Sequence, residues 1–241
     1  MPRYFISLAY DGTAYHGWQI QPNGSTVQEL LNNAISVITR QSVDTVGCGR
    51  TDTGVHAKQY FAHFDVQDPL PSNFLRSLNG ILPADIAVYD VQLVSNEFNA
   101  RFDAIARTYE YHIVFEKDPF TQLLAVRWFQ PLDVEVMNAA CDYLIGTHDF
   151  ACFSKVNTDV KHFMCDVKSA RWYTEHGLLK FEVTANRFLR NMVRAMVGTL
   201  IQVGEGKIDL QQFKNIIDSK DRSKAGQSVP AHGLYLVSIE Y

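Results

Sequence analysis

Strand patterns and helical patterns alternate along the whole chain, in two successive halves of loosely the same order. In the first half, residues 3–10 alternate in strand fashion, and a helical period then runs to about Arg40. The other patterns of this half are strands near 43–48, 59–66 and 85–94 and a short helix near 71–79. Alternation of this kind predicts helices packed on a sheet.

The second half starts with a strand pattern over 107–115. Its later patterns are a helix near 133–145, strands near 164–175 and 178–185, helices over 186–203 and 209–218, and a strand over 233–241. We therefore predict an α+β fold of two ferredoxin-like or RRM-like β-α-β-β units, fused through a shared, mostly antiparallel sheet with helices on one face.

We place the boundary between the halves near residue 105, which gives domains 1–106 and 107–241. No linker rich in Pro, Gly or Ser separates them, so we expect them to be fused. The chain's 241 residues fit one large domain or two of about 120.

The first helix has a predicted start and a predicted buried face. Ser25 and Gln28 match a capping box. Apolar residues then recur at helical spacing: Val27, Leu30, Leu31, Ile35 and Ile38.

Charge is divided unevenly along the chain. The net charge is −4, but residues 1–106 hold six basic and ten acidic residues (−4), whereas 150–224 hold thirteen basic and eight acidic (+5). Arg187, Arg190 and Arg194 are spaced to line one face of the predicted helix over 186–203. Such a stripe either contacts phosphates or is a solvated helix face.

Composition excludes several classes of protein. With 46% hydrophobic and 20% charged residues, the chain is neither disordered nor a coiled-coil rod. No apolar run approaches the roughly 20 residues of a membrane span, and the first residues lack the apolar core of a signal peptide. We expect a cytoplasmic protein that binds no membrane.

The four cysteines allow two interpretations. Cys48, Cys141, Cys152 and Cys165 form no CxxC pair, which favours reduced thiols. The spacings His148-x3-Cys152 and His162-x2-Cys165 could instead supply zinc ligands to a hydrolase or deaminase. We consider the metal-free interpretation the better one.

The segment from Gly47 to Ala57, GCGRTDTGVHA, carries the strongest chemical signal. Glycines flank a polar cluster, so the backbone can approach a ligand closely. Arg50 and Asp52 are two residues apart, and a nearby arginine favours an ionised carboxylate that can act as base or nucleophile. The alternative is a structural turn in which Asp52 binds its own backbone amides.

Two neighbours of this cluster have alternative roles. His56 is either an acid/base partner of Asp52 or a residue of the loop or pocket wall, and we favour the second. Asp11, in the sequence Tyr-Asp-Gly-Thr, is better explained by a turn than by catalysis.

Six segments in order resemble the A family of tRNA pseudouridine synthases, nearly end to end. They are YDGTAYHGWQIQP (10–22), GRTDTGVHA (49–57), FNARFDAIARTYEYHI (98–113), HDFACF (148–153), NRFLRNMVRAMVG (186–198) and PAHGLYLV (230–237). Six separated motifs in the right order are far more specific than one. The resemblance implies isomerisation of uridines in the anticodon stem-loop, at nominal positions 38 to 40.

The resemblance also implies residue roles. Asp52 would be the nucleophile, Tyr109 would stack on the target uracil, and Arg194 would keep Asp52 ionised. Arg50 would hold or replace the flipped base, and Leu234 would line the pocket. The reaction would need no metal or other cofactor, and the partners would be tRNA and a second copy of the chain.

A different class of protein also accounts for some of these features. A non-catalytic RNA-binding protein of paired sheet modules would explain the arginines and aromatic residues. It gives no reason for an Arg-Thr-Asp cluster between glycines. Tyr109 would then be an ordinary sheet residue, as we expect Tyr111 to be.

Overall fold

The computed structural model describes residues 1–155 and 160–241. These contain the strands β1 (Arg3–Tyr10), β2 (Val46–Gly47), β3 (His56–Asp65), β4 (Ile86–Val94), β5 (Ala106–Val114), β6 (Val126–Arg127), β7 (Gly146–Asp149), β8 (Met164–Glu175), β9 (Leu178–Ala185) and β10 (Leu234–Glu240). The helices are α1 (Val27–Thr39), α2 (Phe74–Ile81), α3 (Val134–Cys141), α4 (Met192–Gly204) and α5 (Leu210–Ser219). Most strand pairs are antiparallel, so the predicted α+β class is confirmed.

The chain forms two compact units. Unit 1 comprises Met1–Ile105 and Tyr235–Tyr241, and unit 2 comprises Ala106–Leu234. None of the helices in the described residues combines the length and the hydropathy that crossing a bilayer would need.

Unit 1 has the strand order β4-β1-β3-β10, with β2 paired to β3. β1 is antiparallel to β3, with Tyr10 opposite Ala57 at one end and Arg3 opposite Asp65 at the other. The loop that follows β1 and the loop that precedes β3 therefore leave the sheet at the same end. β10 runs parallel to β3, with Tyr235 opposite His56.

Helix α1 starts one residue later than its sequence pattern predicts. Its N-cap is Thr26, whose side chain accepts a hydrogen bond from the Glu29 N–H, so the predicted Ser25–Gln28 capping box is wrong. The Gln28 side chain instead donates to the Thr45 carbonyl (2.7 Å) and accepts from the Ile20 N–H (3.0 Å). It thereby ties the helix to two loops.

Unit 2 has the strand order β5-β9-β8-β7, with β6 paired to β5 in parallel. The predicted strands over 107–115, 164–175 and 178–185 match β5, β8 and β9 within one residue at each end. The sequence patterns missed β6 and β7, which span two and four residues. Strands this short show too few alternations to be recognised.

Helix α4 corrects the predicted helix over 186–203. It begins at Met192, because Asn191 takes a left-handed conformation (φ 66°) that an asparagine tolerates and a helix does not. Arg187 and Arg190 precede the helix, so the predicted three-arginine helical stripe is wrong. Only Arg194 of the three lies on α4.

Candidate active site

Asp52 lies in unit 1, on the loop that joins β2 to β3. Asp52 is half-buried and Thr51 is buried. The Thr51 hydroxyl is 2.8 Å from the Tyr10 hydroxyl. The Thr51 carbonyl accepts a hydrogen bond from the backbone N–H of Trp18 at 3.4 Å. Both the side chain and the backbone of the residue before Asp52 are thus held.

Three buried aromatic residues, Tyr10, Trp18 and Tyr60, support this loop, and we call them the aromatic cradle. The Trp18 ring stacks on the Tyr60 ring, with centroids 4.1 Å apart and an interplanar angle of 28°. The Tyr60 hydroxyl donates to the Gly49 carbonyl. The cradle therefore fixes the backbone on both sides of Arg50, which is itself exposed.

Two glycines let the loop after β1 lie directly on the Asp52 loop. A Cβ on Gly12 would lie 2.0 Å from the Val55 carbonyl oxygen. A Cβ on Gly17, whose φ is +84°, would lie 2.2 Å from the Thr51 carbonyl oxygen. Only glycine fits such an approach.

Asp11 and His56 organise the same region. Asp11 accepts hydrogen bonds from the N–H and the hydroxyl of Thr13 (2.9 and 2.6 Å), which confirms its predicted role in a turn. Burial raises the pKa of Asp11, but these bonds and the His56 ring outweigh it and hold that pKa below its ordinary value. His56 is buried and stacks on Tyr235 (4.6 Å), and its Nδ1 lies 3.0 Å from Asp11 Oδ1 and 3.1 Å from the Gly12 backbone nitrogen.

Tyr109 and Tyr111 lie on β5 of unit 2. The half-buried Tyr109 ring meets Phe188 edge to face, with centroids 5.0 Å apart. Tyr111 is fully buried and donates to the Pro230 carbonyl (2.8 Å), as expected of a sheet residue. Burial raises the pKa of the Tyr111 phenol well above its ordinary value, so it stays protonated.

Arg194 and Leu234 lie in the same unit. The Arg194 Nε donates to the Val229 carbonyl at 2.8 Å, which anchors the half-buried side chain to the segment before β10. Leu234, the first residue of β10, is buried.

The two remaining predicted arginines, Arg187 and Arg190, precede α4 in the chain. The Arg187 Nη1 is 3.2 Å from the His162 Nε2. Arg190 is exposed, and its carbonyl accepts from the Lys155 N–H at 3.0 Å. The structure thus places Arg50 and Asp52 on one loop of unit 1, and the other five predicted site residues in unit 2.

His148 lies opposite Cys165 in the pairing of β7 with β8, but within the described residues the candidate zinc ligands do not form a group of three or more. The His148 Nε2 is 2.8 Å from the Ile145 carbonyl, and burial raises the pKa of the Cys152 and Cys165 thiols to about 12 and about 11. Across residues 1–155 and 160–241, no three His, Cys, Asp or Glu side chains form a group that could hold a metal ion. The geometry therefore does not support the zinc interpretation.

The sequence patterns missed the aromatic cradle and the two close-approach glycines. The signal that could have found the glycines is their spacing in YDGTAYHGW, where Gly12 and Gly17 interrupt a run rich in aromatic residues. The cradle itself depends on which residues of β1 and β3 lie opposite each other.

Comparison with known proteins identifies the class. A family model described as tRNA pseudouridine synthase matches residues 6–103 and 140–241. "tRNA pseudouridine synthase A" of Parabacteroides distasonis is 49% identical over 243 residues, covering 100% of this chain and 96% of that protein. The protein of the same name from Bacteroides thetaiotaomicron is 50% identical over 245 residues, covering 100% and 91%. "tRNA pseudouridine synthase A 2" of Clostridium perfringens is 40% identical over 239 residues, covering 98% of each.

These matches place the protein among the isomerases that act on tRNA uridines. The chain belongs to the tRNA pseudouridine synthase family. The resemblance inferred from the six motifs is confirmed, and so is the prediction of an enzyme over a non-catalytic RNA-binding module.

Proposed function

We propose that this enzyme converts uridines of the tRNA anticodon stem-loop, at nominal positions 38 to 40, to pseudouridine, with Asp52 as nucleophile. The observation that carries the proposal is the structure of the Asp52 loop. The aromatic cradle holds the residues on both sides of Arg50, and the next residue after them carries the carboxylate. A fixed nucleophile saves the entropy of positioning it at each turnover.

The chemistry explains why a carboxylate is needed. The bond between uracil N1 and ribose C1′ breaks, the uracil turns, and a bond forms between C5 and C1′. The C5 proton is lost and N1 gains a proton, so no atoms are gained or lost overall. Asp52 either holds C1′ during the exchange or attacks the uracil ring, and both routes require its anionic form.

The other site residues have proposed roles in binding. A uridine within a stem must be flipped out, and aromatic and arginine surfaces compensate for its lost stacking. Tyr109 stacks on the uracil and is also a candidate to remove the C5 proton, while Leu234 lines the pocket. Arg50 holds or replaces the flipped base, and Arg194 is the proposed basic partner of Asp52.

Two further proposals concern which half of the chain supplies each site residue and how the enzyme assembles. Residues 1–106 supply the Asp52 loop, and 107–241 supply Tyr109, Arg194 and the weaker backbone contacts of Arg187 and Arg190. The enzyme works without cofactor, in the cytoplasm, as a homodimer with tRNA lying across both chains. The match to the tRNA pseudouridine synthase family supports tRNA as the partner.

The choice of uridines is tested by mapping pseudouridine in total tRNA from a strain that lacks the gene. We expect the modification to disappear at positions 38 to 40 and to remain elsewhere. Loss confined to another region of the tRNA would contradict the proposal.

The aromatic cradle gives a prediction about rate. Tyr60→Phe removes the hydroxyl that binds the Gly49 carbonyl, and Tyr10→Phe removes the one that binds Thr51. We expect each variant to lower kcat about tenfold with little change in KM, because the Asp52 backbone loses one restraint while the tRNA surface is unchanged. Steady-state kinetics over a range of tRNA concentrations up to saturation measures kcat and KM separately.

A matched control separates positioning from general destabilisation. Tyr173→Phe in unit 2 removes a hydroxyl that donates to Glu110 Oε1 at 3.3 Å, and it should leave kcat within twofold of wild type. Equal losses of kcat in Tyr60→Phe and Tyr173→Phe would refute a specific role for the cradle.

A further inference from the structure

The loop between β4 and β5 exposes an aromatic ring that the unit does not use for packing. Phe102 is 76% exposed, and Ile105, three residues later, is 57% exposed. The guanidinium of Arg101 lies 5.5 Å from the centre of the Phe102 ring. This cation and ring belong to the segment FNARFDA, which resembles a family signature, yet the proposed chemistry gives them no role.

Buried contacts fix the loop that carries the ring. Phe98 meets Phe5 edge to face at 4.8 Å, and its carbonyl accepts from the Arg3 Nη1 at 2.8 Å. The Ala100 N–H donates to Nδ1 of the buried His63 at 3.1 Å. The ring is therefore presented on a preorganised support, so a ligand need not order the loop on binding.

The loop is remote from Asp52. His63 lies seven residues beyond His56, the first residue of β3, and Asp52 precedes His56. At about 3.3 Å per residue, this separates the two loops by about 23 Å along the strand. A ligand that touches both loops must be long.

We propose that Phe102, together with Arg101, is a stacking ledge for a tRNA nucleobase outside the reacting uridine, unpaired or at the end of a helix. Aromatic rings and guanidinium planes are the surfaces on which bases stack, and the arginine charge suits the adjoining phosphates. One ring with one aliphatic neighbour is far smaller than the roughly 800 Å² per partner of a stable protein interface. The proposal rests on tRNA being the substrate.

The test measures affinity without turnover. Phe102→Ala is made in the Asp52→Asn background, and its Kd for full-length unmodified tRNA is measured by filter binding at several salt concentrations. We expect Kd to rise about 5- to 100-fold, as for the loss of one base stack, and Phe102→Trp to restore it. The slope of log Kd against log salt should not change, because no charge is removed. With Asp52 intact, Phe102→Ala should raise KM and leave kcat unchanged.

Phe129→Ala is the matched control. Phe129 is 74% exposed and has the Arg127 guanidinium 4.8 Å from its ring centre, so it presents the same pair of groups on unit 2. We expect its Kd to stay within twofold. An unchanged Kd in Phe102→Ala, or equal losses in both variants, would overturn the proposal.

Light scattering of Phe102→Ala tests the other possible occupant of the ledge, a second copy of the chain. An unchanged mass is expected, whereas a halved mass would assign the ledge to a second copy of the chain and overturn the proposal. Failure of the Asp52 mechanism or of the 38 to 40 assignment would appear in pseudouridine mapping and leave these Kd values unaffected.

Discussion

Asp52→Asn is expected to abolish pseudouridine formation, with a loss of at least about 10⁴-fold in turnover. Asparagine has nearly the shape of aspartate but is a far poorer nucleophile. The loop around residue 52 is held through the hydroxyl and carbonyl of Thr51, and these contacts do not involve the Asp52 carboxylate. The substitution removes the negative charge of the side chain and leaves these two contacts of Thr51 in place. Tritium release from tRNA labelled at uridine C5 measures the loss.

Two controls accompany this variant. Its Tm should stay within a few degrees of wild type, and its Kd for tRNA within a few-fold. Thr53→Ala, one residue further along at an exposed position, should keep turnover near wild type. Tritium release by Asp52→Asn at a rate close to that of wild type would exclude Asp52 as the nucleophile.

Gly17→Ala is expected to reduce both stability and activity. The new Cβ would lie 2.2 Å from the Thr51 carbonyl oxygen, and the φ of +84° is unfavourable for alanine. We expect a loss of about 3 kcal/mol in the free energy of unfolding, which is about 6–12 °C in Tm for a chain of this size. To relieve the clash, the backbone next to Asp52 must move, and a shift of about 1 Å can cost about 100-fold in kcat.

Gly177→Ala separates the clash from the backbone strain. Gly177, in the turn between β8 and β9, has a similar φ of +77°, but a Cβ there meets nothing within 4 Å. It should cost about 1 kcal/mol and leave kcat unchanged. Thermal melts and assays well below the Tm compare the two variants. Equal effects on kcat would contradict the backbone packing described for Gly17.

The periodicity of the sequence was sufficient to predict the bounds of an element where that element is long and buries one face. β1 and β9 were predicted at their observed bounds, and buried residues alternate with half-buried ones over the last five residues of each strand. The start of α4 was not predictable in this way, since residues 186–191 continue the helical spacing while Asn191 adopts a left-handed backbone. The cap of α1 was missed because Ser25 and Thr26 both suit that position, and only the backbone geometry distinguishes them.

At the candidate site, too, local features were predictable from the sequence and long-range contacts were not. Glycines around Arg50 and Asp52 marked the loop in the sequence, because local backbone freedom is encoded locally. What holds that loop could not be deduced locally. The contact of Tyr10 with Thr51 joins residues 41 apart in sequence, and it depends on the pairing of β1 with β3.

The proposed activity of this enzyme is pseudouridine formation in the anticodon stem-loop. It is tested most directly by incubating the purified protein, with no added metal or cofactor, with unmodified tRNA transcripts and mapping pseudouridine by chemical derivatisation. We predict new pseudouridine at positions 38 to 40 with wild type and none with Asp52→Asn. Pseudouridine only outside the anticodon stem-loop, or equal amounts with both proteins, would contradict the account.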